Sequence, residues 1–325
     1  MRKARVALIG LGGWGAGNFR SLEDADTVEL VTWFDSNPDV IEKFRGDTPV
    51  SPAGSWEEVL ANEEIEGVIL VVPNHIHTPL AIEAAGRGKH IWVEKPIANT
   101  TAEADAIIQA CEDAGVILQV GHSLRLSPGL RLAKKMLDEG KIGDPVMIEG
   151  HNSHRGGWNL APGVWRWYDA TCPGGPMNLL GIHLIDTVHY LFGPSAEVTG
   201  MMTKKYLECE PEEITAAIIR FKSNLLGVLG SSYVSPGGIR IAIYGSTGKL
   251  EFNYLKDQLT YTDVDGKAEV IQTESINPVT EEYREFGECI VTGKKPETGG
   301  KEARAAVAVL EAAITSARTG KSVKL

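Results

Sequence analysis

The sequence predicts an α/β protein with an N-terminal doubly wound parallel sheet and a C-terminal α+β domain built on a large, open, mainly antiparallel sheet. Short apolar runs alternate with helical patterns up to about residue 121, and this β-α-β-α order favours a parallel sheet. Beyond it, apolar runs follow one another through short turns, as in antiparallel sheets. The length of 325 residues fits two domains, which we place at 1–122 and 123–325.

Five apolar runs supply the strands of the first domain. They lie near Val6 and Leu30 and at Val68–Val72, His90–Val93 and Val116–Val120. In a parallel sheet the carboxyl ends of such strands meet at one edge, and ligands bind beyond that edge. Polar residues that directly follow these runs are therefore candidates for a functional site.

The second domain contains apolar runs joined by turn residues. Turns are indicated at Asn224, at Gly245-Ser246-Thr247-Gly248 and at Asp265-Gly266. The runs are Val146–Gly150, Glu197–Met202, Ile214–Phe221, Leu226–Ser232 and Ile239–Tyr244. Successive strands joined in this way predict antiparallel neighbours.

Helical patterns accompany this second sheet. One spans about Pro128–Glu139, and an Ala-rich one spans Lys301–Arg318. We expect the helices at Gly175–Leu191 and Thr280–Val291 to cover one face of the sheet. The other face then needs a cover, so we expect a homodimer or homotetramer.

Composition excludes several classes of function. Lys and Arg total 32 against 43 Asp and Glu, and the net charge of -11 opposes binding to nucleic acid or anionic membranes. No apolar run approaches the length of a membrane span. The four cysteines are scattered without C-x-x-C spacing, which favours reduced thiols in the cytoplasm.

A glycine-rich turn follows the first apolar run. Its sequence is Gly10-Leu11-Gly12-Gly13-Trp14-Gly15, the G-x-G-x-x-G pattern of a dinucleotide-binding Rossmann domain. Gly10 allows the tight turn, Gly12 lets the backbone approach a pyrophosphate, and Gly15 lets the helix pack on the sheet. The helix N-terminus then offers N–H groups to phosphates. We expect Gly13 and Trp14 to line the same site.

Asp35 stands at the end of the second apolar run, 20 positions after Gly15. This is the spacing of an acid that binds the adenosine ribose. A carboxylate accepts from a 2'-hydroxyl and repels a 2'-phosphate, so Asp35 favours NAD. NADP stays open, because Arg45 lies ten residues on. As an alternative role, Asp35 caps the helix that Asn37-Pro38 begins.

Two polar segments follow strands and so lie at the predicted ligand edge. The first runs from Pro73-Asn74 through His77, and the second is Glu94-Lys95-Pro96. The Lys95 ammonium is suited to stabilise a developing alkoxide or to relay its proton. The structural alternative is a Glu94–Lys95 pair that braces the turn before Pro96.

A third segment begins at Gly174 and opens an apolar helix that contains His183. His183 has the chemistry of a proton acceptor near neutral pH, although a lone histidine on such a helix is also a common core residue. Asp186 and His189 follow at intervals of three, which raises the question of a metal site. We expect no metal, because cationic side chains suffice for hydride transfer, and we expect a helix-internal hydrogen bond for Asp186.

Aromatic and hydrogen-bonding side chains concentrate in Gly150–Trp158 and Trp165–Asp169. Aromatic faces and polar groups suit the apolar ring face and the hydroxyls of a sugar. We select His154, Arg166 and Trp167 as the substrate wall. Ordinary loop anchoring by tryptophan is the alternative.

In these motifs and their order, the chain resembles the glucose-fructose oxidoreductase and inositol dehydrogenase (Gfo/Idh/MocA) family over its full length. The motifs are Gly10–Gly15, Pro73-Asn74 with His77, Gly88-Lys89-His90 before Glu94-Lys95-Pro96, Gly121-His122 with Arg125, and Gly181-Ile182-His183 with Asp186.

The resemblance implies an N-terminal nucleotide domain, a C-terminal substrate domain with an open sheet, and dimers or tetramers. It also implies hydride exchange between a nicotinamide and a hydroxyl-bearing carbon of a sugar or cyclitol. Position in the motifs implies cofactor contacts for Pro73, Asn74, His77, Glu94, Lys95 and His122, and substrate contacts for Lys95, Arg125 and His183.

One position departs from the family pattern. Many members carry an aspartate four residues before the helix histidine, and here that residue is Leu179. Asn178 stands one residue earlier, and because an α-helix turns about 100° per residue, we do not expect it to replace the carboxylate. His183 then lacks this orienting acid, which places more weight on Lys95.

The sequence therefore predicts an NAD-dependent oxidoreductase in which Lys95 and His183 handle the proton of a substrate hydroxyl at one bound coenzyme. Two other classes stay open. One is a glycosidase that retains NAD and cleaves by transient oxidation, and the other is a non-catalytic sensor of a dinucleotide or sugar.

Overall fold

The computed structural model describes residues 2–325, and its first sheet confirms the predicted parallel architecture. Five parallel strands lie in the order β2-β1-β3-β4-β5, with Val6 of β1 opposite Gly67 of β3. The strands are β1 Ala4–Ile9, β2 Val28–Phe34, β3 Gly67–Leu70, β4 His90–Val93 and β5 Leu118–Val120. Strand β3 is buried along its whole length, as expected for a strand covered on both faces.

Helices connect these strands in β-α-β order. They are α1 Gly13–Glu23, α2 Pro38–Phe44, α3 Trp56–Ala61, α4 His77–Gly86 and α5 Thr101–Ala114. Helix α5 shows why the sequence places its ends there. Thr100 and Glu103 form a capping box at its start, and Gly115 ends it in the left-handed conformation at φ 65°.

The second sheet has nine strands in the order β13-β12-β11-β10-β6-β9-β8-β7-β14. Its strands are β6 Pro145–Ser153, β7 Ser195–Thr203, β8 Ile214–Phe221, β9 Leu226–Ser232, β10 Gly238–Gly245, β11 Gly248–Asn253, β12 Gln258–Asp263, β13 Ala268–Gln272 and β14 Val323–Lys324. Strands β6 and β9 pair in parallel, and the other neighbours are antiparallel. The prediction of a large, mainly antiparallel sheet is confirmed.

One face of this sheet is covered by helices. They are α6 Pro128–Asp138, α7 Ile182–Phe192 and the later part of α9 Gly300–Thr319. A π-helical turn at Met177–Gly181 directly precedes α7. Strand β8 alternates buried and exposed residues, with Ile219 in the core and Ile218 on the uncovered face. The sheet therefore leaves a broad face without helices.

Helix α8, Pro278–Thr292, does not cover the large sheet, and that expectation is wrong. It packs against α1, β1 and β2 of the first sheet. Thr27 donates a hydrogen bond to the Arg284 carbonyl at 2.8 Å, and a Cβ on Gly287 would lie 2.5 Å from the Thr27 carbonyl oxygen. Tyr283 and Phe286 are fully buried in the core of the first sheet, and this burial fixes the helix there.

The compact units consequently do not follow a single cut of the chain. The first unit is Met1–Ser123 with Asn277–Arg304, and the second is Leu124–Ile276 with Ala305–Leu325. The division into 1–122 and 123–325 stays a prediction, and it does not contain the grouping of 277–304 with the first unit. Among residues 2–325, no helix is both long enough and apolar enough to cross a membrane.

Gly15 and Gly17 of α1 give a matched test of the strand-to-helix packing. A Cβ on Gly15 would lie 2.0 Å from the Gly10 carbonyl oxygen, whereas a Cβ on the exposed Gly17 would meet no atom within 4 Å. We predict that Gly15→Ala lowers the free energy of unfolding by about 1–3 kcal/mol. We predict that Gly17→Ala raises it by about 0.5–1 kcal/mol, because alanine favours the helix. Calorimetric unfolding of both variants checks this, and equal effects would contradict the packing.

Candidate active site

The glycine turn between β1 and α1 is shaped for close approach. Gly10 has a φ of 91°, and a Cβ there would lie 2.3 Å from the Val71 carbonyl oxygen. Gly15 packs α1 directly on Gly10. Gly12 and Gly13 are exposed, and a Cβ on either would meet nothing within 4 Å. The first turn of α1 thus faces open space, as a pyrophosphate site requires.

Asp35 joins the end of β2 to this glycine turn. One of its carboxylate oxygens accepts from the Leu11 N–H at 2.8 Å, and the other accepts from the Asn37 N–H at 2.8 Å. The residue that caps α2 is Asn37, whose side chain accepts from the Asp39 N–H at 3.0 Å. Asp35 therefore holds the approach to α2 without being its N-cap, and its half-buried carboxylate lies beside the turn.

A side-chain hydrogen bond joins the glycine turn to the turn after β4. The Trp14 indole N–H donates to Glu94 Oε1 at 2.6 Å, and the Lys95 backbone N–H donates to Glu94 Oε2 at 3.1 Å. Glu94 is 8% exposed, whereas Trp14 is 62% exposed. This bond holds the segment that carries Lys95 beside the predicted dinucleotide loop.

The Glu94 carboxylate lies against an aromatic pocket. Burial raises its pKa, while the Lys95 charge and the Trp14 N–H oppose that rise. The Trp92 and Tyr283 rings meet edge to face at 5.0 Å, and burial together with the Glu94 charge raises the Tyr283 pKa well above its usual value. A Cβ on Gly121 would lie 2.7 Å from the Trp92 ring and 3.6 Å from Glu94 Oε2. Glycine is therefore required beside this carboxylate.

The Lys95 side chain leaves this turn half-buried, ahead of a cis peptide bond to Pro96. Its charge opposes the rise in the Glu94 pKa, so the Lys95 and Glu94 side chains attract each other. This attraction is the kind of contact that the structural alternative for Glu94-Lys95 requires. Bracing and a chemical role for the ammonium are compatible. His122, which follows β5, is 1% exposed.

The His77 ring contacts the backbone of two segments, one after β3 and one after β4. Its Nε2 lies 3.0 Å from the Val72 carbonyl oxygen and its Nδ1 lies 3.0 Å from the Pro96 carbonyl oxygen. The ring is fully buried, and burial lowers its pKa to about 4. His77 therefore contacts two backbone carbonyl groups within the protein, and its predicted contact with the cofactor stays a prediction.

Pro73 and Asn74 stand at the exit after β3, at the start of the short 3-10 helix Asn74–Ile76. The Asn74 amide donates to Asn99 Oδ1 at 3.5 Å, and both side chains are buried. Together with the glycine turn, Asp35 and Glu94, these residues lie at carboxyl ends of the parallel strands. The structure therefore brings the predicted first-unit groups to one sheet edge.

In the second unit, Arg125 and Asp186 form a buried bidentate ion pair. Arg125 Nε donates to Asp186 Oδ2 at 2.9 Å, and Nη2 donates to Oδ1. Arg125 is 5% exposed and Asp186 is 1% exposed. The guanidiniums of Arg125 and Arg131 both lie over the Tyr190 ring, at 5.4 Å and 5.3 Å. Asp186 therefore has a partner 61 positions away, beyond the helix-internal hydrogen bond expected for it, and the substrate contact implied for Arg125 stays a prediction.

His183 is the second residue of α7 and is half-buried. The Thr187 hydroxyl donates to its carbonyl oxygen at 2.8 Å. His189 Nε2 lies 2.7 Å from the Ser195 hydroxyl. Within residues 2–325, no three His, Cys, Asp or Glu side chains group as metal ligands.

The predicted substrate wall is partly assembled by Tyr233. The His154 ring stacks on Tyr233 with centroids 5.4 Å apart, and His154 Nδ1 accepts from the Gly156 N–H at 2.9 Å. The Tyr233 hydroxyl donates to the Gly175 carbonyl oxygen at 2.9 Å, at the start of the segment that leads to His183. Sequence reasoning missed Tyr233, because a single tyrosine after a strand has no local signature.

The remaining aromatic residues lie on the loop that contains the short helix Trp165–Trp167. Arg166 is exposed and lies over the Trp165 ring at 5.5 Å, and Trp167 is half-buried. Trp158, 48% exposed, donates to the Val234 carbonyl oxygen at 3.2 Å and contacts Tyr206. Whether this loop binds substrate, as the sequence predicts, stays a prediction.

The fold and the glycine turn define an oxidoreductase with an NAD-binding Rossmann domain. Residues 4–122 match the family model described as "Oxidoreductase family, NAD-binding Rossmann fold". Residues 130–251 match the model described as "GFO/IDH/MocA C-terminal domain". The chain belongs to the Gfo/Idh/MocA oxidoreductase family, and the resemblance predicted from the motifs is confirmed.

Characterised relatives cover most of the chain. It is 31% identical to scyllo-inositol 2-dehydrogenase (NAD(+)) of Bacillus subtilis strain 168, over 82% of this chain and 80% of the relative. It is 25% identical to D-xylose 1-dehydrogenase [NADP(+)] of Haloarcula marismortui, over 99% of this chain and 93% of the relative. The fold is similar to a crystal structure from Desulfitobacterium hafniense DCB-2 that is described as an NADPH-dependent oxidoreductase. The TM-score is 0.93, and the sequences are 30% identical over 100% of this chain and 98% of that one.

The Trp14–Glu94 bond predicts a pH-dependent contribution to stability. The pKa of Glu94 is higher in the folded protein than in the unfolded chain. Ionisation of Glu94 therefore lowers the free energy of unfolding as the pH rises from the ordinary pKa of a glutamate through the raised pKa. Trp14→Phe removes a donor that favours the carboxylate and raises this pKa further. We predict that the variant loses about 1–2 kcal/mol near pH 8 and less near pH 5.

Trp158→Phe is the control, because its indole N–H donates to a backbone carbonyl, which does not titrate. Thermal unfolding of both variants across this pH range checks the prediction. A loss of stability in Trp14→Phe that stays constant with pH would show that Glu94 is not its partner in solution.

Proposed function

We propose that this protein is an NAD-dependent dehydrogenase that transfers a hydride between a secondary hydroxyl carbon of a sugar, sugar derivative or cyclitol and the nicotinamide. The observation that carries the proposal is the Trp14–Glu94 hydrogen bond, which holds the Lys95 turn beside the dinucleotide loop. The inositol and xylose dehydrogenases among the relatives support the substrate class.

The residues present fit a dinucleotide. Gly12 and Gly13 leave open space over the first turn of α1, and Trp14 and Gly15 follow them. Residues 1–122 are proposed to bind the nucleotide and residues 123–325 the substrate, with 277–304 as structural support of the first unit. When bound, nicotinamide supplies a carbon that accepts or returns a hydride.

The proposed cofactor is NAD, with NADP as the alternative. Asp35 places a carboxylate beside the glycine turn, where it would accept from a ribose 2'-hydroxyl and repel a 2'-phosphate. Arg45 is exposed, and its Nε lies 3.6 Å from Glu42 Oε2. This ion pair would compete with a 2'-phosphate for the Arg45 guanidinium. Calorimetric titration with both dinucleotides tests this, and tighter binding of NADP would contradict it.

Lys95 and His183 are the proposed catalytic residues. The Lys95 ammonium would donate to the substrate oxygen and stabilise its alkoxide as the hydroxyl proton leaves. The His183 imidazole would accept that proton. His154, Arg166 and Trp167 are proposed to bind substrate hydroxyls and the ring face, while Arg125 would act through Asp186 on the helix that carries His183.

The chain is also proposed to form a homodimer or homotetramer through the uncovered face of the large sheet. Ile218 lies opposite Val228, and Leu226 lies opposite Met147, in the central strands of that face. Ile218, Val228, Leu226 and Met201 are 51%, 39%, 38% and 76% exposed. Adjacent apolar side chains of this kind mark an association surface. Sedimentation velocity that returned a monomer at micromolar concentration would contradict it.

A cytoplasmic location is proposed from the cysteines. All four are buried and free of disulfides, as in a reducing compartment. Burial raises the pKa values of Cys111, Cys172 and Cys289 to about 12, so these thiols are unreactive. Recovery of the native protein only from an oxidising compartment would contradict this location.

We predict that a panel of sugars, sugar derivatives and cyclitols contains a substrate that yields NADH, read by absorbance. Lys95→Met, which removes the charge and keeps the length, should lower kcat by about a hundredfold or more. Its NAD affinity should change little, because the proposed role concerns the substrate oxygen.

Turnover near the wild-type rate in Lys95→Met would contradict the role of the lysine. Consumption of a glycoside without net NADH would instead indicate the NAD-retaining glycosidase. Binding of both ligands without any turnover would indicate a sensor.

A further inference from the structure

The turn after strand β6 is attached to the end of strand β9. Ser153 of β6 lies opposite Ser232 of β9, and the two strands are parallel, so the segments that follow them leave the sheet side by side. The His154 N–H donates to the Ser232 carbonyl oxygen at 3.1 Å, and the Gly157 N–H donates to the Tyr233 carbonyl oxygen at 3.0 Å. These bonds hold the backbone that carries His154 against Tyr233.

The face of the His154 ring is supported by Tyr233. The two rings stack with centroids 5.4 Å apart and planes inclined by 19°. Tyr233 is 3% exposed, and its hydroxyl donates to the Gly175 carbonyl oxygen at 2.9 Å. The ring beneath His154 is therefore fixed by its backbone and by its hydroxyl. Stacking on a fixed ring restricts the imidazole to one plane.

A backbone N–H determines which nitrogen of this imidazole carries the proton. The Gly156 N–H donates to His154 Nδ1 at 2.9 Å. Because a backbone N–H can only donate, Nδ1 must present a lone pair and carry no proton. A neutral imidazole has its proton on one nitrogen, so that proton is on Nε2. The turn thus fixes the tautomer of His154 as well as its plane.

This arrangement requires glycine at position 156. A Cβ on Gly156 would lie 2.8 Å from His154 Cε1 and 2.9 Å from His154 Nδ1. The φ angle of Gly156 lies outside the left-handed region, so the crowding by the ring, and not the backbone angle, excludes a side chain. A Cβ on Gly157 would lie 2.6 Å from Tyr233 Cβ. The two glycines therefore let the turn fold closely over the stacked rings.

A second donor acts on the same tyrosine. Burial raises the pKa of Tyr233 well above its usual value, and the Arg166 charge opposes that rise, so the guanidinium lies near the phenol. A guanidinium has N–H donors and no acceptor. His154 and Arg166 are both exposed. With the His154 proton on Nε2, both side chains offer donors, and both complement the lone pairs of an oxygen.

We propose that Tyr233 and Gly156 are positioning residues that hold His154 with its proton on Nε2, and that this N–H donates a hydrogen bond to a substrate oxygen. The proposal rests on the proposed place of His154 in the substrate wall. His154 then binds the substrate without accepting its proton, which leaves that step to His183. The oxygen bound by His154 is one that keeps its own bonds during hydride transfer, such as a neighbouring hydroxyl or the ring oxygen of a sugar.

Two substitutions of His154 separate the donor from the support of the turn. An asparagine side chain accepts from the backbone N–H two residues on, so His154→Asn keeps the bond from Gly156 and loses the donor at the Nε2 position. His154→Gln is the matched variant, because its longer carboxamide places an N–H near that position. We predict that His154→Asn raises the substrate KM about three- to tenfold and that His154→Gln restores most of this loss. Both variants should keep kcat within about twofold of wild type at unchanged NAD affinity, since the contact is made equally in the ground state and the transition state.

Two kinetic outcomes would overturn the inference. A wild-type KM in His154→Asn would show that His154 only supports the turn. A fall in kcat of about a hundredfold or more in both variants would assign proton transfer to His154.

Nitrogen NMR of the His154 ring provides a readout that needs no substrate. At about pH 8, where a histidine is ordinarily neutral, we expect an unprotonated Nδ1 and a protonated Nε2 in the wild type. Gly156→Ala should mix the tautomers, because its Cβ displaces the ring. Arg155→Ala, which removes an exposed side chain from the same turn, should leave the tautomer unchanged.

Tyr233 is tested by the same spectra. Tyr233→Phe keeps the stacked ring and should keep the wild-type tautomer, whereas Tyr233→Leu removes the ring and should mix the tautomers. A protonated Nδ1 in the wild type, or wild-type spectra in both Gly156→Ala and Tyr233→Leu, would overturn the inference. Failure of the proposed function would instead appear as no NADH from the wild type with any substrate, with the expected His154 tautomer intact.

Discussion

The hydrogen bond between Trp14 and Glu94 is the contact on which the candidate site of the first unit depends. It connects two turns that are far apart in sequence and that each follow a strand of the parallel sheet. Glu94 is buried against Trp92 and Tyr283, so its carboxylate needs donors, and Trp14 supplies one from the glycine turn. The same carboxylate accepts from the Lys95 N–H. The requirement to satisfy one buried charge thus fixes the lysine turn relative to the dinucleotide loop.

In the second unit, the helix that carries the candidate catalytic histidine is held by an ion pair and a hydrogen bond to the backbone. The helix that carries His183 is held by the buried Arg125–Asp186 pair on one turn and by the Asn152 contact to the π-turn on another. Removing one partner of a buried ion pair costs about 3–5 kcal/mol, so Arg125 contributes to holding this helix in place. The exposed aromatic loop and the open face of the sheet remain available for the proposed substrate and the proposed second copy.

Much of this architecture is encoded locally and could be predicted. The glycine turn, the spacing to Asp35 and the alternation in β8 each depend on a few neighbouring residues. Helix α8 could not be placed in this way. Its apolar face resembles that of any helix. Its position is decided by Tyr283 and Phe286, which lie in the core of a sheet whose last strand ends at Val120.

The candidate site shows the same limit. Residue types and strand exits made Lys95, Glu94 and His183 candidates, but the contacts that hold their segments in place join residues far apart in sequence. The Trp14–Glu94 contact spans 80 positions and the Arg125–Asp186 contact spans 61. The π-turn was missed because helical periodicity assumes one fixed rotation per residue, whereas a carbonyl partner on β6 and the absence of a side chain at Gly181 favour the wider turn here.

A double-mutant cycle on Trp14 and Glu94, read by the calorimetric affinity for NAD, tests the central claim most directly. Trp14→Phe, Glu94→Leu, whose side chain has no acceptor, and their combination would each be titrated at one pH. If the hydrogen bond organises the nucleotide edge, the two changes should be coupled by about 1–3 kcal/mol, with the double variant little worse than either single one. Strictly additive losses would contradict the account, because the two side chains would then contribute to NAD binding independently.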